Sequence, residues 1–213
     1  MAPLLHVDRL AKRYTRGLLR PEVTFSLEAD FRIDGPGVVG VMGPNGSGKT
    51  TLFELITGSN APSAGRVLVG GQDIHSVRYG QRDRVAIHYH QSYQVRSFRR
   101  TRPESWMARA ATDSPLVHLF DEPQFNTQDG YIGVMLDFFR TLRGRDRLVF
   151  LCLHPNEPVH LDILRESCDR FVFVKAGRLG FFDSFDAALQ AEPVRAYLGQ
   201  LAPPPAQSGS SVK

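Results

Sequence analysis

The residues Gly43–Thr50, with the sequence GPNGSGKT, fit the pattern G-x-x-x-x-G-K-[ST] and carry the clearest chemical signal in this 213-residue chain. Glycines let successive backbone N–H groups converge on an anion without an intervening Cβ. Lys49 would bridge the β- and γ-phosphates of a triphosphate, and the Thr50 hydroxyl would bind Mg²⁺. We therefore predict a nucleotide site formed by Gly43, Pro44, Asn45, Gly46, Ser47, Gly48, Lys49, Thr50 and Thr51.

The segments on either side of this loop supply the context that such a motif requires. The apolar run Val38–Met42 precedes the loop and predicts a buried strand, while 51–57 predicts a helix. The positive end of that helix's dipole would face the bound anion. The order strand, loop, helix favours a phosphate loop over a simple glycine-rich turn.

Two adjacent carboxylates follow a second apolar segment. Leu116–Phe120 predicts a buried strand, and Asp121 and Glu122 come directly after it. Asp121 would hold Mg²⁺ through water, as a metal ligand. Glu122 could polarise the water that attacks the γ-phosphate, which makes it a candidate catalytic residue.

A histidine follows a third apolar segment. The predicted strand 147–153 ends at His154, which could donate a hydrogen bond to a γ-phosphate and is a second candidate catalytic residue. Because open α/β sheets bind ligands at the carboxyl ends of their strands, the polar groups of all three segments are expected in one site.

In their order, these motifs resemble the nucleotide-binding subunits of ABC transporters, and the resemblance covers most of the chain. Tyr14 stands where that family has the aromatic residue that stacks on adenine, and Gln91 follows Lys49 by 42 residues, as the family's glutamine loop does. The resemblance implies ATP and Mg²⁺ as cofactors, with Gln91 as a catalytic residue and a metal ligand. It also implies an α/β fold, namely a P-loop NTPase core of ABC ATPase type with an antiparallel β edge region and a shortened helical subdomain.

The sequence departs from the family between Gln91 and Asp121. Only 30 residues separate the two, and the signature Leu-Ser-Gly-Gly-Gln is absent from the sequence. One alignment puts 97–101 in the signature position. A rival alignment treats 79–87 as a displaced signature, which leaves no glutamine loop in the family's order.

The resemblance and the composition together predict one ABC-type ATP-binding domain over residues 1–201 and a disordered tail over 202–213. The hydrophobic content of 42% suits one α/β core, whereas the Pro- and Ser-rich end has too little apolar content to fold. Two cysteines, no signal-peptide pattern and no apolar run of about 20 residues predict a cytoplasmic protein that reaches the inner face of a membrane through a partner. A formal charge of +4 is no strong nucleic-acid signal.

Three functions agree with these residues. The first is the ATP-binding and ATP-hydrolysing subunit of an ABC-type transport complex, paired as a homodimer or heterodimer and joined by membrane permease subunits. Hydrolysis would need a partner if the signature is supplied by another chain. The second is a soluble ABC-derived switch that is not coupled to transport. The third is a P-loop small-molecule kinase, for which the arginines within 96–102 would form a lid.

Overall fold

The computed structural model describes residues 2–17, 20–89, 115–123 and 131–203. The predictions for Gln91, for the candidate signature segment 97–101 and for most of the C-terminal tail lie outside these ranges. The strands are β1 Leu5–Arg16, β2 Glu22–Ile33, β3 Gly37–Met42, β4 Ala64–Val69, β5 Gln72–Asp73, β6 Ala86–Tyr89, β7 Val117–Asp121, β8 Leu148–Cys152, β9 Arg170–Lys175 and β10 Arg178–Phe182. The α-helices are α1 Lys49–Thr57, α2 Tyr131–Arg143, α3 Pro158–Ser167, α4 Phe185–Gln190 and α5 Glu192–Leu198.

The larger sheet has six strands in the order β10-β9-β3-β8-β7-β6. Strands β6 to β9 and β3 run parallel to their neighbours, and β10 closes one edge as an antiparallel hairpin with β9. Strands β3, β7 and β8 are buried at every position. Continuous burial is expected for parallel strands covered on both faces, and it explains why these segments read as uninterrupted apolar runs.

A second sheet, β2-β1-β4-β5, is antiparallel throughout. Its inward side chains, such as Leu5 and Val67, share one apolar core with α1 and with Phe150 of the larger sheet. Helix α1 therefore lies between the two sheets, directly behind the glycine-rich loop Gly43–Thr50. This is the predicted antiparallel edge region.

Helices cover the other face of the six-stranded sheet. Phe139 of α2, Leu164 of α3 and Leu189 of α4 pack in a second core with Val149 and Leu151 of β8. The buried apolar residues of α2 that the structure describes, Met135, Phe138, Phe139 and Leu142, all belong to this second core. The predicted α/β class is confirmed. Within the described ranges, none of the helices has both the length and the apolar character needed to cross a bilayer.

The segment Tyr79–Arg84 forms a 3-10 helix that leads directly into β6. Strand β6 pairs in parallel with β7, the strand that carries Asp121. This is the strand that the resemblance places before Gln91. Gln91 itself lies outside the described residues, so its place in a glutamine loop stays a prediction, as does the displaced signature at 79–87.

Candidate functional site

The predicted site residues meet at one edge of the six-stranded sheet. Strand β8 lies between β3 and β7, and Cys152 pairs with Val41 on one side and with Asp121 on the other. Because the three strands are parallel and in register, their carboxyl ends coincide. The glycine-rich loop, Glu122 and His154 follow these ends directly.

Two glycines of the loop allow close packing that no other residue permits. Gly43 has φ of +147°, and a Cβ there would lie 2.1 Å from the carbonyl oxygen of Val174. Gly48 has φ of +110°, and a Cβ there would lie 2.8 Å from the ring of Phe25. Both the left-handed backbone and the lack of space require glycine, so the pattern seen in the sequence has a steric cause.

The turn of the β9–β10 hairpin holds the loop from the side. The N–H of Gly177 donates to the carbonyl oxygen of Ser47 at 2.9 Å, and the carbonyl oxygen of Gly177 accepts from the N–H of Glu28 at 2.9 Å. One residue thus connects the glycine-rich loop, the β9–β10 hairpin and strand β2 of the antiparallel sheet.

The glycine-rich loop has a buried ammonium group and a buried hydroxyl group. The ammonium of Lys49, which is 6% exposed, donates to the carbonyl oxygens of Gly43 at 2.7 Å and Pro44 at 2.9 Å. The buried Ser47 Oγ has no hydrogen-bond partner among the residues that the structure describes. A cation and an unpaired hydroxyl therefore line the same short loop.

The loop is joined to β7 by one side-chain hydrogen bond. Thr50 Oγ1 donates to Asp121 Oδ2 at 2.9 Å, and His88 Nε2 lies 3.4 Å from the same oxygen. Burial acts to raise the pKa of Asp121, but the hydrogen bonds from His88 and Thr50 outweigh it and lower the pKa below its usual value. Asp121 is therefore an anion held in place at the edge of the sheet.

Glu122 adopts a left-handed backbone, with φ of +48°. Its N–H donates to the carbonyl oxygen of Cys152 at 3.1 Å, which continues the pairing of β7 with β8 by one residue. This conformation is uncommon for a residue with a side chain, and it turns the chain sharply where β7 ends. Such strain is often found at functional sites.

His154 lies exposed beyond β8 and is contacted by the C-terminal part of the chain. Its Nδ1 is 2.9 Å from the hydroxyl of Tyr197 on α5. The two rings meet edge to face, with centroids 5.8 Å apart.

Tyr14 lies on β1, and its ring centroid is 6.2 Å from that of Phe25, the residue that packs on Gly48. The amide of Asn60 donates to the Tyr14 hydroxyl at 2.7 Å, and the ammonium of Lys12 lies 5.1 Å from its ring centroid. The structure places Tyr14 beside the residue that covers the loop. Its contact with adenine stays a prediction, as do the roles assigned to the other site residues.

Sequence reasoning missed three residues of this region. His88 was passed over, although it lies three residues before Gln91 on the strand leading to it. Gly177 and Tyr197 had no motif that could reveal them, because each meets the site only through contacts distant in sequence.

Comparison with known proteins agrees with this geometry. Residues 28–126, somewhat under half of the chain, match the family model described as ABC transporter. This matched segment, which contains Lys49 and Asp121, is similar to the ABC transporter family. Over 88% of the chain, the fold also matches 92% of a solved structure described as the ATP-binding subunit of an ABC transporter, with a TM-score of 0.63 and 18% identity. At that level of identity, the match supports the fold alone.

Curated proteins that are similar to this chain include proteins of more than one kind. One is the ATP-binding protein ChvD of Rhizobium radiobacter, 43% identical over 32% of this chain and 21% of the relative. Another is the lipoprotein-releasing system ATP-binding protein LolD of Coxiella burnetii, 34% identical over 36% of this chain and 32% of the relative. The energy-dependent translational throttle protein EttA of Mycobacterium tuberculosis is 45% identical over 32% of this chain and 11% of the relative. The chain thus spans a third or less of the length of each of these relatives.

Proposed function

We propose that this chain is the ATP-binding and ATP-hydrolysing subunit of an ABC-type transport complex, in which Mg-ATP drives closure of a dimer. The observation that carries the proposal is the 2.9 Å hydrogen bond between Thr50 and Asp121. It brings together, beside Lys49, the hydroxyl and the carboxylate that the sequence assigned separately to one Mg²⁺ site.

The glycine-rich loop fits a triphosphate. Its buried Ser47 hydroxyl has no partner among the described residues, and the Lys49 ammonium is held by backbone carbonyls that a phosphate could replace as its acceptors. Backbone N–H groups at the start of α1 add to the positive potential there. Gly43, Pro44, Asn45, Gly46, Ser47, Gly48, Lys49, Thr50 and Thr51 would hold the phosphates, and Tyr14 the adenine.

The oxygens near Thr50 fit Mg²⁺, which prefers hard oxygen ligands. Thr50 and Asp121 would hold the ion, together with Gln91, which lies outside the described residues. When bound, Mg²⁺ neutralises the charge on the phosphate oxygens. The low pKa of Asp121 keeps its carboxylate ionised for this purpose.

The remaining residues supply the chemistry of hydrolysis. Glu122 follows Asp121 on a turn that points the chain away from β7, and it would orient the attacking water and accept its proton. His154 would donate a hydrogen bond to the γ-phosphate. Gln91 would act as a catalytic residue and as a ligand of the metal. In these roles, water accepts the phosphoryl group and Glu122 takes the proton from that water. The arrangement therefore favours an ATPase over a kinase.

Membrane coupling is the less direct part of the proposal. It is supported by the match to a transporter family model and by a relative named for a lipoprotein-releasing system. The chain would act at the cytoplasmic face of a membrane, as a homodimer or heterodimer bound to permease subunits. A soluble switch is the alternative outcome of the tests below, because another relative is named a translational throttle protein.

ATP binding is tested by Lys49→Ala in isothermal titration calorimetry with Mg-ATP. Loss of a charged hydrogen bond to phosphate costs about 3 kcal/mol, so the Kd should rise by about a hundredfold. Lys175→Ala, which removes the same charge from an exposed position, is the matched control and should bind as the wild type does. Equal affinity in the Lys49→Ala and wild-type proteins would refute the site.

Hydrolysis is tested by Glu122→Gln, which keeps the shape of the side chain and removes the base. ATP affinity should be unchanged, while kcat should fall by about 10²- to 10⁴-fold. An ATP-bound dimer should accumulate and be visible by size-exclusion chromatography with light scattering. Wild-type protein that binds ATP but hydrolyses none, alone or with permease subunits encoded beside its gene, would favour the switch.

A further inference from the structure

The C-terminal helix α5 brings a tyrosine to the candidate active site. The Tyr197 hydroxyl lies 2.9 Å from His154 Nδ1, although the two residues are 43 positions apart. Its ring packs on Phe173 of β9, with centroids 5.5 Å apart. The buried side chains of Val194 and Leu198 anchor the helix on the second core, so this approach is fixed by packing.

The protonation state of the Tyr197 hydroxyl allows it to act as the donor in this hydrogen bond. Burial, followed by the nearby Cys152, raises the pKa of Tyr197 to about 12, and a backbone hydrogen bond from Gly43 opposes that rise. The hydroxyl is therefore protonated at neutral pH. The protonated hydroxyl has one proton to donate, and His154 Nδ1 at 2.9 Å is the acceptor to which we assign it.

A ring nitrogen that accepts a hydrogen bond cannot carry the proton of a neutral imidazole. With Nδ1 as the acceptor, that proton lies on Nε2, and Nε2–H is the only donor of the ring. A donor at Nε2 is what a phosphate oxygen requires. The opposite tautomer would present a lone pair at Nε2, which repels an anion.

We propose that Tyr197 is a positioning residue, whose hydroxyl holds His154 in its Nε2–H tautomer and links helix α5 to both the glycine-rich loop and His154. Its effect on catalysis rests on the function proposed above for His154. The tautomer itself does not, and it can be measured on protein that hydrolyses nothing.

The direct test is a long-range ¹H–¹⁵N NMR spectrum of the histidine rings at about pH 8, where free imidazole is neutral. The His154 signals are assigned by their loss in His154→Gln. Wild-type protein should show the pattern of a pure Nε2–H tautomer. In Tyr197→Phe, which keeps the ring on Phe173, the two nitrogen shifts of His154 should move toward each other as the tautomers mix.

Tyr79→Phe is the matched control, because it removes a phenolic hydroxyl from a residue that is 72% exposed and lies on the 3-10 helix before β6. It should leave the His154 signals unchanged. Circular dichroism and thermal unfolding establish that each variant is folded. Identical His154 tautomers in folded Tyr197→Phe and wild-type protein would overturn the proposal, whether or not the protein is an ATPase.

Steady-state kinetics add a readout that loss of packing would not produce. If wild-type protein hydrolyses ATP, Tyr197→Phe should lower kcat by about three- to tenfold, the range expected for one neutral hydrogen bond, and leave KM unchanged. A mixed tautomer with unchanged kcat would overturn the catalytic part of the proposal and leave the positioning of His154 in place. A pure tautomer in the variant would overturn both parts.

Discussion

The hairpin turn at Gly177 gives the sharpest test of how this fold holds its glycine-rich loop. Gly177 has φ of +71°, and a Cβ there would lie 1.8 Å from the carbonyl oxygen of Ser26, far inside van der Waals contact. That oxygen belongs to the backbone of β2, so no rotation of a side chain can relieve the overlap. In Gly177→Ala, either the hairpin or β2 must move.

The cost follows from what that movement breaks. A left-handed conformation costs an L-residue about 1–2 kcal/mol. The two 2.9 Å backbone hydrogen bonds of Gly177, to Ser47 and from Glu28, are each worth about 0.5–1.5 kcal/mol. Gly177→Ala should therefore lower the free energy of unfolding by about 2–5 kcal/mol. Because Ser47 loses its anchor, ATP affinity should also fall by about tenfold, beyond any effect of unfolding.

Gly199→Ala separates the backbone cost from the clash. Gly199 also has a positive φ, +55°, but a Cβ there would meet no heavy atom within 4 Å. With φ of +55° and ψ of −120°, Gly199 has a backbone that costs an L-residue about 1–3 kcal/mol, so Gly199→Ala should lower the free energy of unfolding in urea by that amount and leave the ATP affinity unchanged by calorimetry. If the two variants lose the same free energy of unfolding, or if folded Gly177→Ala binds ATP as tightly as the wild type, the hairpin does not hold the loop.

Two further predictions concern stability. His118 is fully buried, and burial lowers its pKa to about 4. Its Nε2–H donates to the carbonyl oxygen of Pro115 at 2.9 Å, and its Nδ1 accepts from the Tyr89 hydroxyl at 3.1 Å. Between pH 6.5 and 4, His118 is protonated in the unfolded chain but not in the folded chain. The free energy of unfolding should therefore fall by up to about 2 kcal/mol from pH 7.5 to pH 5. In urea denaturation, the free energy of unfolding of His118→Leu should depend less steeply on pH than that of the wild type. Ala176 is exposed, has φ of +48° and is the first central residue of the two-residue β9–β10 turn. Because Asn tolerates a left-handed backbone better than Ala, Ala176→Asn should raise the free energy of unfolding by roughly 1 kcal/mol. An unchanged or lower thermal midpoint would contradict this explanation.

Local pattern was sufficient for much of the fold. The apolar runs before the glycine-rich loop, before Asp121 and before His154 each indicated a strand, and all three are strands of one parallel sheet. Ser184 caps α4 by accepting from the N–H of Ala187, and a proline stands in the first turn of α5, so local signals also mark the starts of these two helices. These features depend on hydrophobic period, capping and backbone restriction, and a short stretch of sequence carries all three.

The sequence by itself determined which residues stand at strand ends and that Gly43 and Gly48 lie in a glycine-rich loop between a strand and a helix. Tertiary structure alone decided that Thr50 meets Asp121, that Gly177 holds Ser47 and that Tyr197 reaches His154. Each of these pairs is brought together by strand register or helix packing across the two cores. A hydrogen bond between residues distant in the chain depends on where the intervening elements pack, and no local pattern encodes that distance.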